Sequence, residues 1–241
     1  MKRAAGLLLT ICAACSHARS AVSSPVLSDP VDSYIKADVD VFLATNGDSV
    51  NQALGRRHRA IEALKRKNPS GDVSVEDLSS QDAGKRASAM VNILARNRVS
   101  EAEAQTILQS YLPSDPFFVR YYAMQVLASC EPDVAARHST RIAEVLSQET
   151  NDSVRSAALA VVSKLQESDK ATVLAELVRT GSPVLGRNAY AVAWSLGPSV
   201  GCRVRATVIG LGTASGAEAL AQVEGEGGLS AFRLPNAGCS E

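Results

Sequence analysis

The sequence predicts an all-α protein built as an α-solenoid of helix-turn-helix repeats, and three observations predict it. Apolar residues recur at helical spacing on both sides of short breaker runs, as in Ile142, Val145 and Leu146, then Thr150 to Ser153, then Val154, Ala158, Leu159, Val162 and Leu165. Aromatic residues are only 4% of a 241-residue chain, which suits closely approaching helices better than large globular cores. An arginine followed three residues on by alanine and seven on by an apolar residue returns along the chain, best in Arg155, Ala158 and Val162 and in Arg120, Ala123 and Leu127. Such a pair of helices shows an apolar face that it cannot bury alone, and stacking the next pair covers it.

The copies can be laid side by side. Upstream, Ile107, Leu108 and Leu112 precede the turn Ser114-Asp115-Pro116 and then Val119-Arg120. Downstream, Leu174 and Leu177 precede Gly181-Ser182-Pro183 and then Arg187, Tyr190 and Trp194. Weaker copies centre on Arg86, Ala89 and Ile93 and on Arg57, Ala60 and Leu64. From Arg57 through Arg86, Arg120 and Arg155 to Arg187 the steps are 29, 34, 35 and 32 residues. In the last good copy Gly186 stands before the arginine where valine is expected, and Tyr190 replaces the alanine, so helix packing there must differ.

This pattern, covering residues 45 to 197, resembles the HEAT family of helical repeats. The resemblance implies that the turn aspartates Asp115 and Asp152 and the arginines Arg120, Arg155 and Arg187 form a ladder joining neighbouring turns by charge-assisted hydrogen bonds. It also implies a scaffold whose partner is chosen by surface residues.

Taken in order, the chain opens with Met1, Lys2 and Arg3, an apolar run from Ala4 to Cys12 too short to span a bilayer, and Ala13-Ala14-Cys15. This is similar to a bacterial lipoprotein signal over residues 1–15, which implies acylation of Cys15, export to the periplasm and, with Ser16 following, anchoring at the outer membrane. Plain signal cleavage between Ala18 and Ala21 is the alternative. Residues 16–32 are rich in Ser, Ala and Pro without helical period and read as a flexible tether. The repeat domain is expected over 33–224, starting with a helix from Ser33 to Thr45 that packs through Tyr34, Val41 and Phe42.

A longer helix from Asp48 to Lys67 directs Leu54, Ile61 and Leu64 to the core. Its remaining arc holds Arg56, Arg57, Arg59, Lys65, Arg66 and Lys67, a basic face for anionic head groups or an acidic partner, or simply a solvated one. Asn68 to Asp77 reads as a loop, with helix resuming near Ser80. Ser100 with Glu103 and Ser215 with Glu218 are capping boxes, Ser182-Pro183 is a helix start, and Gly181 and Gly197 are stops.

Catalytic signals are sparse. The histidines His17, His58 and His138 have no metal-ligand spacing, so no metal or cofactor is expected. Gly210-Leu211-Gly212 has Ser215 where a dinucleotide fingerprint needs glycine and lacks a βαβ unit around it. Glu101 with Glu103, or Glu224 with Glu226, are the carboxylate pairs that an envelope hydrolase acting on glycan or peptide would use. A formal net charge of zero argues against nucleic-acid binding.

Of the cysteines that remain after export, Cys130 ends an apolar helix, while Cys202 precedes and Cys239 lies within an irregular C-terminal tail over 225–241. A Cys202–Cys239 disulfide is expected, with pairing through Cys130 or free thiols as the alternatives. The reading that follows is a non-enzymatic envelope scaffold, lipid-anchored to the membrane, that binds a protein partner. An envelope hydrolase and an immunity or inhibitor protein against an exported toxin are the alternatives.

Overall fold

The computed structural model describes residues 29–44, 47–68, 73–210, 218, 220–221 and 239. All regular structure among them is helical. The signal with Cys15, the tether up to residue 28, the Gly212 and Ser215 motifs, Glu224 with Glu226, and 225–238 of the tail lie outside these residues. The chain divides into two compact units, Met1–Ser70 and Gly71–Glu241.

In the first unit, α1 (Pro30–Leu43) packs against α2 (Gly47–Lys67). Helix α1 starts earlier than the sequence pattern suggested, because Asp29 caps it by accepting from the Val31 amide at 3.0 Å and Pro30 occupies the first helical position. Tyr34, Ala53, Ala60 and Leu64 form its core. Phe42 and Leu54, expected inside, are 39% and 43% exposed. The small Ala53 and Ala60 bring the two helices together instead, on an arc that leaves Leu54 beside it.

The second unit comprises α3 (Val75–Leu78), α4 (Ala83–Arg96), α5 (Glu101–Ser110), α6 (Phe117–Ala128), α7 (Pro132–Arg137), α8 (Ser139–Gln148), α9 (Asp152–Val162), α10 (Glu167–Thr180), α11 (Pro183–Ser195) and α12 (Pro198–Gly210). Helix α3 lies in what reads as a loop, and it forms because Ser74 accepts from the Asp77 amide at 3.0 Å. Helix α7 is likewise absent from the periodicity and starts at a proline.

Two rows of neighbours result. Helices α4, α6, α9 and α11 pack in sequence along one row, and α3, α5, α8, α10 and α12 along the other. Each row contributes side chains to the core, among them Ile93, Tyr122, Val154 and Tyr190 from the first and Ile107, Ile142 and Leu174 from the second, all essentially inaccessible. Leu112 departs from expectation: it follows the end of α5 and is 53% exposed, and the neighbouring Tyr111 is buried in its place.

Local chemistry explains where the helices start and stop. Asp82, Ser100, Asn151 and Ser182 cap α4, α5, α9 and α11 through their side chains, and Ser100 with Glu103 forms the expected capping box. Asn97 ends α4 in the left-handed conformation at φ 55°, which asparagine tolerates. Gly197, at φ 129°, permits the sharp exit from α11. Gly186 places α11 on α10 so closely that a Cβ there would lie 3.2 Å from the Val178 carbonyl oxygen, which accounts for the missing valine in that copy.

Candidate functional site

Four of the five repeat arginines, Arg86, Arg120, Arg155 and Arg187, sit near the starts of α4, α6, α9 and α11, whereas Arg57 lies midway along α2 in the first unit. Arg86 donates to the Ser80 carbonyl at its own turn and reaches forward to Asp115 at the next. Arg120 repeats the arrangement one pair on, donating to the Asp115 carbonyl at 3.0 Å and pairing with Glu149. Arg155 donates to the Glu149 carbonyl and reaches the Thr180 carbonyl at 3.4 Å. Asp152 also joins turns, accepting from the Ser182 amide at 2.9 Å, but its own approach to Arg155 is long at 3.9 Å. Arg187 lies half-buried at the fifth residue of α11, where the three preceding arginines occupy the fourth of their helices.

Glu149 is the residue that sequence reasoning missed, because the conspicuous turn acid of that copy is Asp152. It is fully buried. Its carboxylate accepts from the Tyr111 hydroxyl, from Arg120, and from the Thr150 and Asn151 amides at 2.9 and 2.8 Å. A signal existed: Asp115 follows Arg86 by 29 residues, and Glu149 follows Arg120 by the same 29.

Burial alone would raise the Glu149 carboxyl, yet the bonds from Tyr111, the Asn151 amide and Arg120 hold it below the ordinary carboxylate range. Tyr111 is pushed strongly upward by burial and by the carboxylate it serves, so it stays a hydrogen-bond donor. Buried Glu103 resolves the same contest in the same direction, through Arg96 at 2.6 Å and the Ser100 amide at 2.8 Å.

The opposite ends of the helices are joined too. Lys164 donates to the Ala128 carbonyl and, at 2.7 Å, to the Cys130 carbonyl, tying α9 to the end of α6. Ser139 accepts from the Gln166 amide at 2.9 Å and donates to Asp169, so a residue of α8 completes the cap that α10 lacks. Glu101, offered above as half of a carboxylate pair, binds Arg137 at 2.9 Å, while Glu103 faces Arg96. Both glutamates are therefore engaged in ion pairs between or within helices.

The basic face of α2 is largely neutralised inside its own unit. Arg56 pairs with Asp40 at 2.9 Å, Lys65 with Glu62 at 3.0 Å and Lys67 with Asp29 at 2.8 Å. Arg57 turns inward to buried Asp38 at 2.8 Å and lies over the Tyr34 ring. Arg59 and Arg66 remain exposed.

The structure joins Cys202 and Cys239, with Cα atoms 5.4 Å apart, and leaves Cys130 as a buried free thiol. An open groove of about 410 Å³ at the start of α4 is lined by Asp77, Asp82, Lys85 and Ser88, and Asp82 is already occupied as the helix cap. Among the described residues no cluster of His, Cys, Asp or Glu is arranged to hold a metal, and no helix is long and apolar enough to cross a membrane. No family model matches the chain, and no curated protein or solved structure is similar to it at a meaningful level.

Proposed function

We propose that the chain is a HEAT-like α-solenoid acting as a non-enzymatic scaffold in a bacterial envelope, held to the membrane through acylated Cys15 and binding a protein partner. The observation that carries this reading is the ladder. Arg86–Asp115, Arg120–Glu149 and the Asp152–Ser182 contact join successive turns, and the helices alternate between two rows. Buried charge in this unit is spent on joining one helix pair to the next, a use that suits a rigid extended support. Of the basic face of α2, Arg59 and Arg66 are exposed and are where an acidic partner would bind.

Co-purification from a cross-linked envelope fraction tests the reading. A defined protein partner recovered with the native chain, and lost with Val154→Asp, supports it. Cleavage of envelope glycan or peptide by the purified chain, with no partner recovered, overturns it in favour of the hydrolase. A toxin as the recovered partner narrows the scaffold to an immunity protein.

A further inference from the structure

We infer that the Cys202–Cys239 disulfide is a reducible clasp on α12, opened by a dithiol reductant while the rest of the second unit stays folded. Three observations meet here. Cys202 and Cys239 are both partly exposed, whereas Cys130 is 2% exposed and its thiol is pushed up to about 11 by burial. A partly exposed disulfide is open to attack by an external thiolate, and a buried, protonated thiol takes no part in exchange. Among the described cysteines, the structure therefore separates one reducible pair from one inert thiol.

The second observation is the way α12 is held. It is the last of the described long helices and packs on α10 and α11 through Val200, Val204 and Val208, a stripe on one side. The disulfide adds a covalent constraint at residue 202 and closes a loop of 37 residues.

The third is the contact beside it. Gly201 lies so close to Trp194 of α11 that a Cβ would sit 2.5 Å from the indole ring. Trp194 is the one tryptophan in the chain, so its emission reports this joint. The inference does not depend on the scaffold reading.

The exchange balances with one reductant of the dithiol class. Its thiolate attacks one protein sulfur, giving a mixed disulfide and one protein thiolate. Its second thiol then closes the reductant's own disulfide and releases the other protein sulfur. Two electrons pass to the protein, and Cys202 and Cys239 each take up a proton.

The test treats the folded full chain with dithiothreitol, alkylates it, and maps the labelled peptides alongside circular dichroism and amide exchange. The expected result is label on Cys202 and Cys239, none on Cys130, and unchanged helical content. Amide exchange along α12 should accelerate by about 100-fold or more, within the roughly 600-fold that a 37-residue loop closure supplies on the chain-entropy model, while α4 to α9 keep their protection and Trp194 emission changes. Cys202→Ser should show the reduced-state exchange from the start and no response to dithiothreitol. Reduction that comes only with loss of helix and labelling of Cys130 overturns the inference. So does clean reduction that leaves α12 exchange and Trp194 emission unaltered.

Discussion

At the scale of single residues, Glu149 is where the fold concentrates its polar chemistry. Truncating it leaves Arg120, the Tyr111 hydroxyl and two amides without their acceptor in a site closed to water. Glu149→Ala should therefore cost about 3 to 5 kcal/mol in a urea titration, the range for breaking a buried charge pair. Exposed Arg141 and Glu144 pair at 3.0 Å on the surface of α8, and Glu144→Ala should cost less than about 1 kcal/mol. The same carboxylates set a pH dependence. Glu149 and Glu103 are held below their ordinary value of 4.5 when folded, so the unfolded chain takes up protons first. Their contribution is complete above about pH 5 and is lost as pH falls through the lower folded values. The urea midpoint of Glu149→Gln should fall less steeply in that window than that of the native chain. Of the ladder, the arginines were legible in the sequence because each heads an apolar stripe. Glu149 was hidden within its own copy, because Asp152 lies inside the breaker run and Glu149 just before it, and only the 29-residue spacing shared with Arg86 and Asp115 marks it.

At the scale of elements, the stripe predicted from periodicity in α9 and the residues after it agrees with the buried face at Val154, Ala158, Val162 and Leu165, while Leu159 of the same stripe is half-buried. Val154 and Val162 are both fully buried, and either one changed to Asp should cost several kcal/mol by circular dichroism melts, because an unpaired charge enters a sealed layer. Glycines at close approaches behave differently. Gly201→Ala should destabilise by about 1 to 3 kcal/mol by overpacking against Trp194, although alanine favours a helix by about 1 kcal/mol. Gly210, with nothing within 4 Å of its Cβ position, is the control, and Gly210→Ala should be neutral or slightly stabilising. Helices α3 and α7 escaped the sequence because four and six residues are too few for a period to show. Phe42, Leu54 and Leu112 were misplaced for another reason. Hydrophobicity gives a residue's preference, but the small Ala53 and Ala60 and the buried Tyr111 decide where the contacts fall.

At the scale of the whole molecule, the recurrence of the arginine step carried the all-helical fold, and the alternation of two rows gives that recurrence its physical meaning. The proposed membrane anchor would act through Cys15. Cys15→Ala should shift the protein from the membrane pellet to the soluble periplasmic fraction, since acyl chains supply the membrane affinity. Unchanged fractionation, with no lipid mass on the mature N-terminus, would remove the anchor from the account. The central claim is that buried ion pairs couple successive helix pairs into one stack. In such a stack damage at one joint spreads to its neighbours, because each pair is stable only against the next. Amide hydrogen exchange of Glu149→Ala against the native chain tests this most directly. The account predicts faster exchange in α6 and α9, which flank the joint, and a smaller acceleration in α4 and α11 beyond them. Exchange that changes only at the turn from Glu149 to Asn151, with α6 and α9 as protected as before, would contradict it.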